Sequence, residues 1–137
     1  MASFNKFQPF VANIANKVYN LGSDQLKVAL CATANTPVNT YNQLSNLTEI
    51  SYTNLSSRNI TTTSCVQTSG VLKLILADLT LTASGTVAAF QYVVIYDDTA
   101  TNKELIGWYD IGVAITLATS SALLLDFDNT NGLLQIT

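Results

Sequence analysis

The chain has 137 residues, a formal net charge of −3, and only 11% charged residues against 48% hydrophobic ones. That length suits one domain with its own core, and a chain this poor in charge is not an expanded, disordered tail. Six basic residues against nine acidic ones cannot build the phosphate-neutralising patch that a nucleic-acid binder needs.

Met1 to Gln8 reads as a short arm carrying Phe4 and Phe7. Next, Phe10, Val11, Ile14, Val18 and Leu21 recur at helical spacing, with Asn13, Asn16, Lys17 and Asn20 on the opposite face. Pro9 suits the first turn and Gly22 a left-handed C-terminal cap. The spacing predicts a helix over residues 9–21. From Asp24 onward the period becomes two: Leu26, Val28, Leu30 and Ala32 point one way, Gln25, Lys27, Ala29 and Cys31 the other. This divides the single folded domain into an arm and helix, 1–22, and a β-sandwich, 23–137.

Thr33 to Asn46 is polar, contains Pro37, and reads as a loop. Strands are predicted around Ile50 and Tyr52, then at Ile60 to Gln67, Val71 to Leu76, Leu79 to Thr82 and Ala88 to Tyr96. Leu105 to Ile111, Ala114 to Leu117, Leu123 to Asp128 and Leu133 to Ile136 follow. Ser69-Gly70, Ser84-Gly85, Asp97 to Asn102 and Asn131-Gly132 supply the turns. Short strands with no helical pattern between them predict an all-β, antiparallel sandwich. Several strands are apolar on both faces: Phe90, Tyr92, Val94 and Tyr96 oppose Val93 and Ile95, and Trp108 and Ile106 oppose Leu105 and Tyr109. A small sandwich buries one face of each sheet in its core. The second apolar face therefore needs the helix, the arm or another chain to cover it.

The chain contains no histidine, which removes the usual near-neutral base and the commonest metal ligand. Ser–His–Asp and Cys–His catalysis in their usual form are excluded with it. Cys31 and Cys65 either pair or serve as small apolar residues. No apolar run approaches the roughly 18 residues of a membrane span, and Met1 to Phe10 lacks the pattern of a signal peptide. Synthesis in a reducing cytoplasm is expected. The triplets beginning at Asn46, Asn54 and Asn59 are expected by chance in a chain with eighteen threonines, thirteen asparagines and eleven serines. Asp97, Asp98, Glu104, Asp110, Asp126 and Asp128 read as turn carboxylates, with no spacing that brings an acid and a base across a cleft. Asp126 to Gly132 approaches a calcium loop, but the glycine comes one residue late and no distal glutamate follows. Arg58, the single arginine, is either a loop anchor or a ligand contact.

Several segments together resemble the small head decoration, or cement, proteins of tailed bacteriophages. They are Asn20 to Leu30, Leu47 to Asn54 with Arg58 to Thr61, Ser69 to Thr80, Tyr92 to Asp110, and Leu125 to Asp128 with Asn131 to Ile136. The chain departs from that pattern at Ile111 to Leu124 and at Cys65. The resemblance implies a jelly-roll-like sandwich on the outer surface of a phage head, bridging neighbouring major capsid proteins. It implies partners in the major capsid protein and in other copies of the chain, without nucleic acid, membrane, cofactor or catalysis. Tail, baseplate or head-fibre attachment is the alternative. A carbohydrate-binding module using Tyr41, Tyr52 or Trp108 is the third.

The charges are compatible with docking on a capsid. Residues 1–50 carry three lysines against two acids, and residues 51–137 three basic residues against seven acidic ones. A slightly basic arm and helix would then face an acidic shell. Phe4, Phe7 and Phe10 are the candidate anchors, because a buried ring supplies a large contact area at modest entropy cost. For Phe10 the competing expectation is that it closes its own sandwich core.

Overall fold

The computed structural model describes residues 2–137. Its elements are β1 (Phe4–Lys6), α1 (Gln8–Ala15), β2 (Leu26–Cys31), β3 (Asn59–Ile60), β4 (Thr62–Thr68), β5 (Val71–Leu76), β6 (Leu79–Thr82), β7 (Phe90–Asp97), β8 (Leu105–Ile115), β9 (Ala122–Leu125) and β10 (Leu134–Ile136), with a single 3-10 turn at Leu44–Asn46. The fold is all-β and every strand pair is antiparallel. A five-stranded sheet runs β1-β8-β7-β2-β3. A three-stranded sheet, β10-β5-β4, and a two-stranded one, β6-β9, complete the topology.

The main core lies between these sheets. Leu26, Val28, Leu30, Val93 and Ile95 from the large sheet meet Leu74, Leu76, Leu81 and Leu125 from the smaller ones. The opposite face of the large sheet is also buried. There Ala29, Cys31, Tyr92, Val94, Tyr96 and Leu105 form a second core, closed by Phe7 and by Tyr41, Leu44 and Leu47 of the long loop. The covering anticipated for this face is thus supplied by the chain itself, and no second chain is needed for it. Threonine- and asparagine-rich as it is, the loop lies flat because its backbone groups find partners. Gln8 N–H donates to the Asn39 carbonyl at 2.8 Å, Leu105 N–H to that of Asn42 at 2.9 Å, and Ile50 N–H to that of Leu30 at 2.9 Å.

Two irregularities change which residues share a face. The β7–β8 register shifts between Phe90 and Tyr92 and again between Ile95 and Tyr96. The first turns Phe90 into the main core, away from Tyr92; the second puts Ile106 there together with Tyr109. Simple alternation groups both residues differently, because a bulge resets the period of two.

The helix is shorter than its apolar spacing predicts. It ends at Ala15, six residues before Leu21, and Gly22 does not cap it. No side chain caps its start and no basic residue occupies its last turn, so little holds it against competing contacts. Lys17 takes a left-handed φ of 61°. The following residues run as a loop that buries Tyr19 and Leu21, and the Tyr19 hydroxyl donates to the Leu105 carbonyl at 2.7 Å. Val11, placed on the apolar face by spacing, is 53% exposed.

Nor is the predicted strand at Ile50 and Tyr52 formed. The Tyr52 hydroxyl instead accepts from Leu30 N–H at 2.9 Å and donates to Glu49 at 2.5 Å. Arg58 spans the Tyr52 ring at 3.6 Å and donates to the Val28 carbonyl at 2.6 Å. It is a loop anchor, the first of its two readings. Cys31 and Cys65 are both free, the first in the second core and the second packed against the main core.

The arm is part of the sheet. β1 pairs with β8 through Phe4↔Tyr109, Asn5↔Trp108 and Lys6↔Gly107. Because Phe7 is fully buried where the loop meets the sheet, Phe7→Ala is expected to cost about 3–5 kcal/mol. Urea unfolding measures this, and a loss below about 1 kcal/mol would show that the second core does not depend on the ring.

Candidate functional site

The three aromatic candidates serve the chain's own packing. Phe7 is enclosed in the second core. Phe10 sits in the main core with its ring 5.2 Å from that of Tyr19, the competing expectation for it. Both are therefore withdrawn as partner anchors: a ring already desolvated inside its own fold has no contact area left to offer. Phe4 is half-buried, its ring 5.3 Å from Tyr109. It rests directly on Gly107, where an added methyl would overlap the ring and lie 2.7 Å from the Asn5 carbonyl oxygen. Glycine at this position lets the arm lie close on β8.

The aromatic platforms are engaged as well. Tyr52 is stacked under Arg58, Trp108 meets Tyr92 edge-on at 5.9 Å, and Tyr41 helps to close the second core.

An apolar groove lies elsewhere, along the edge where the large sheet and the two-stranded sheet pack together. Between the distal part of β8 and β9 opens a groove of about 270 Å³, with half-buried Ile111 and Leu123 and exposed Leu124 on its walls and the buried core residues Val93, Tyr109, Leu125 and Phe127 at its floor. Ala2 and Tyr109 also line an adjoining hollow of about 590 Å³, which holds Asp126 and Asp128. The upper wall exists because β8 bulges. β7 advances only from Phe90 to Tyr92 while β8 goes from Asp110 to Ile115. Gly112 turns with φ 90°, and Asp110 pins the bulge by accepting from Gly112 N–H at 2.7 Å and from Gln91 at 2.9 Å. Val113 at the bulge is 64% exposed, and Leu124 on the opposite wall is 56% exposed.

Charge at the acidic end is fixed by local geometry. Hydrogen bonds from the backbone and side chain of Asn131, and from Thr130 N–H, hold the Asp128 carboxyl below its ordinary range. Asp126 accepts from Asp128 N–H at 3.0 Å, and Asp78 accepts from Phe127 N–H at 3.0 Å. Burial, then the nearby Asp126 and Asp128, push the Tyr109 hydroxyl up to about 12. The groove thus offers a partner apolar area and a negative end.

These residues were missed in the sequence. The signal was the run Ala122-Leu-Leu-Leu125, where a half-buried strand should alternate with polar residues. Among protein-family models, curated proteins and solved structures, nothing matches this chain.

The remaining acidic residues are structural. Asp98 pairs with Lys103 at 2.6 Å, and Glu104 accepts from Asn102 N–H at 3.3 Å. Asp97 is fully buried. One of its oxygens accepts from Thr99 and Ala100 N–H at 2.9 and 3.1 Å, while the other has no donor. Burial and the neighbouring Asp24 carboxyl push Asp97 up to about 7. A raised folded pKa stabilises fully below the unfolded carboxylate value near 4 and loses that stabilisation as pH rises to about 7. Asp98 and Asp128, held low, act with the opposite sign in a window below the ordinary carboxylate pKa. Urea midpoints should therefore fall between pH 5 and pH 8 in the wild type. Asp97→Asn should flatten that slope and raise the midpoint at pH 8; an unchanged slope would rule out Asp97 as its source.

Proposed function

We propose that the chain is a structural virion protein, a decoration or cement subunit that binds the outer surface of a phage head and bridges major capsid proteins. The observation that carries this reading is the apolar groove left open at the edge between β8 and β9, beside a large sheet whose two faces are both covered by the chain itself. An apolar groove with a charged end suits a partner segment. The resemblance of many segments to head decoration proteins supplies the identity of the partner.

Composition supports the same reading. With 11% charged residues, few ions must be desolvated when an interface closes, and each such desolvation costs several kcal/mol when it is uncompensated. Closed layers also suit a part that bears load, because both faces of the central strands are already packed. The acidic residues gather in the second part of the chain, and Asp126 and Asp128 adjoin the groove, which favours a cationic contact on the partner over the basic arm facing an acidic shell.

Co-sedimentation with undecorated heads tests the proposal. Saturable binding is expected, with hundreds of copies per head and release as salt is raised. A handful of copies would assign the protein to a tail or fibre attachment, and no binding at saturating concentration would rule out the head surface.

A further inference from the structure

We infer that the groove between β8 and β9 receives a strand: an extended segment of the capsid partner, apolar at alternate residues and cationic at its N-terminal end, adds antiparallel to β9. This rests on the capsid-binding reading above and names the chemistry of the partner at that site.

The hydrogen-bond phase of the two-stranded sheet leaves one edge unused. Ser56 N–H donates to the Thr82 carbonyl at 2.9 Å and Thr82 N–H to the Ser56 hydroxyl at 2.9 Å, so Thr82 turns its backbone away from β9. Ala83 N–H reaches the Ser121 carbonyl at 3.1 Å. With the register Leu81↔Leu123 and Leu79↔Leu125, alternation makes these the hydrogen-bonded pairs. Ala122 and Leu124 then point their N–H and C=O groups to the other side, where this sheet has no further strand. That side faces the groove.

Open edges in soluble proteins are normally guarded by lysine, proline or a bulge, because an unguarded one pairs with any available strand. β9 reads Ala-Leu-Leu-Leu and carries none of these, its one protection being a length of four residues. An added strand would satisfy the free groups of Ala122 and Leu124 and send every second side chain toward Ile111, Leu123 and Leu125.

Charge selects the occupant and its direction. Antiparallel addition places the first residues of the incoming strand beside the end of β9, where Asp126 and Asp128 lie in the adjoining hollow and Asp78 bonds to Phe127 N–H. Lys73 is the cation of this neighbourhood, and its ammonium is directed to the Thr130 carbonyl at 3.4 Å. A lysine or arginine at the start of the partner strand offsets the remaining negative charge.

Leu124→Pro tests the edge directly. It deletes an N–H that the fold leaves unpaired, and proline is tolerated at such edge positions. Leu124→Thr keeps the N–H and serves as control, and Asp126→Asn tests the charge. Binding is measured to undecorated heads at two salt concentrations. It is measured in parallel, by calorimetry, to a synthetic hexapeptide of alternating valine and threonine that opens with lysine. The proline variant should melt as the wild type does and lose at least about tenfold in both affinities, while the threonine variant stays near wild type. Asp126→Asn should weaken binding and flatten its salt dependence. Normal binding of heads and peptide by a folded proline variant overturns the strand site and leaves the capsid reading standing. If wild-type protein ignores heads, the capsid reading fails, and tight binding of the peptide alone then still supports the groove as a strand site. Equal affinity for a peptide lacking the lysine overturns the charge assignment. A wild-type dimer in ultracentrifugation that Leu124→Pro abolishes gives the edge to a second copy and overturns the partner named here.

Discussion

The structure depends on one constraint: the central strands β2 and β7 are apolar on both faces. Antiparallel sheets commonly bury one face and leave the other wet. Here Val28, Leu30, Val93 and Ile95 face the smaller sheets while Ala29, Cys31, Val94 and Tyr96 face outward. Each such aliphatic or aromatic side chain gains about 1.5–3 kcal/mol when fully covered. A second cover is therefore as necessary as the first. The loop after β2 lies down over the outward face, the arm adds a strand and contributes Phe7, and Arg58 holds the loop's far end to Val28 through its guanidinium. Polar, irregular chain becomes structural because it has an apolar floor to rest on.

That constraint was visible in the sequence, and so was the fold class. Alternation in Leu26 to Cys31, the apolar density of Phe90 to Tyr96 and the glycine and asparagine turns were local signals of strands. What failed was whatever tertiary contacts decide. The helix pattern ran through Leu21, but Tyr19 gains a buried hydrogen bond to Leu105 only by leaving the helix, and nothing local outweighs that. Bulges moved Phe90 and Ile106 across the sheet, and alternation carries no sign of a bulge until the partner strand is known. The aromatic residues of the arm were conspicuous for the right chemical reason. A large ring seeks a desolvated pocket, and the nearest pockets belonged to the same chain.

The open edge of β9 was less legible because it depends on which side β6 occupies. Leucine at 124 is unremarkable in an apolar run until β6 is known to occupy the other side of the strand. The bulge of β8 is equally silent in one dimension, although Gly112 and Asp110 are the residues that shape it. Threonine and asparagine in place of charge give the rest of the exterior a neutral, hydrogen-bonding character. The edge of β9 is where apolar lining, free backbone groups and negative charge adjoin.

The two cysteines bear on how the fold responds to oxidising surroundings. Cys31 is sealed in the second core, and burial pushes its thiol up to about 11; Cys65, packed against the main core, is also raised. The thiolate is the species that oxidants attack, so burial and a raised thiol pKa protect Cys31, while Cys65 keeps partial access at the surface hollow it lines. They also lie on opposite sides of the large sheet and do not meet. No disulfide between them is therefore available to change the fold when the surroundings turn from reducing to oxidising.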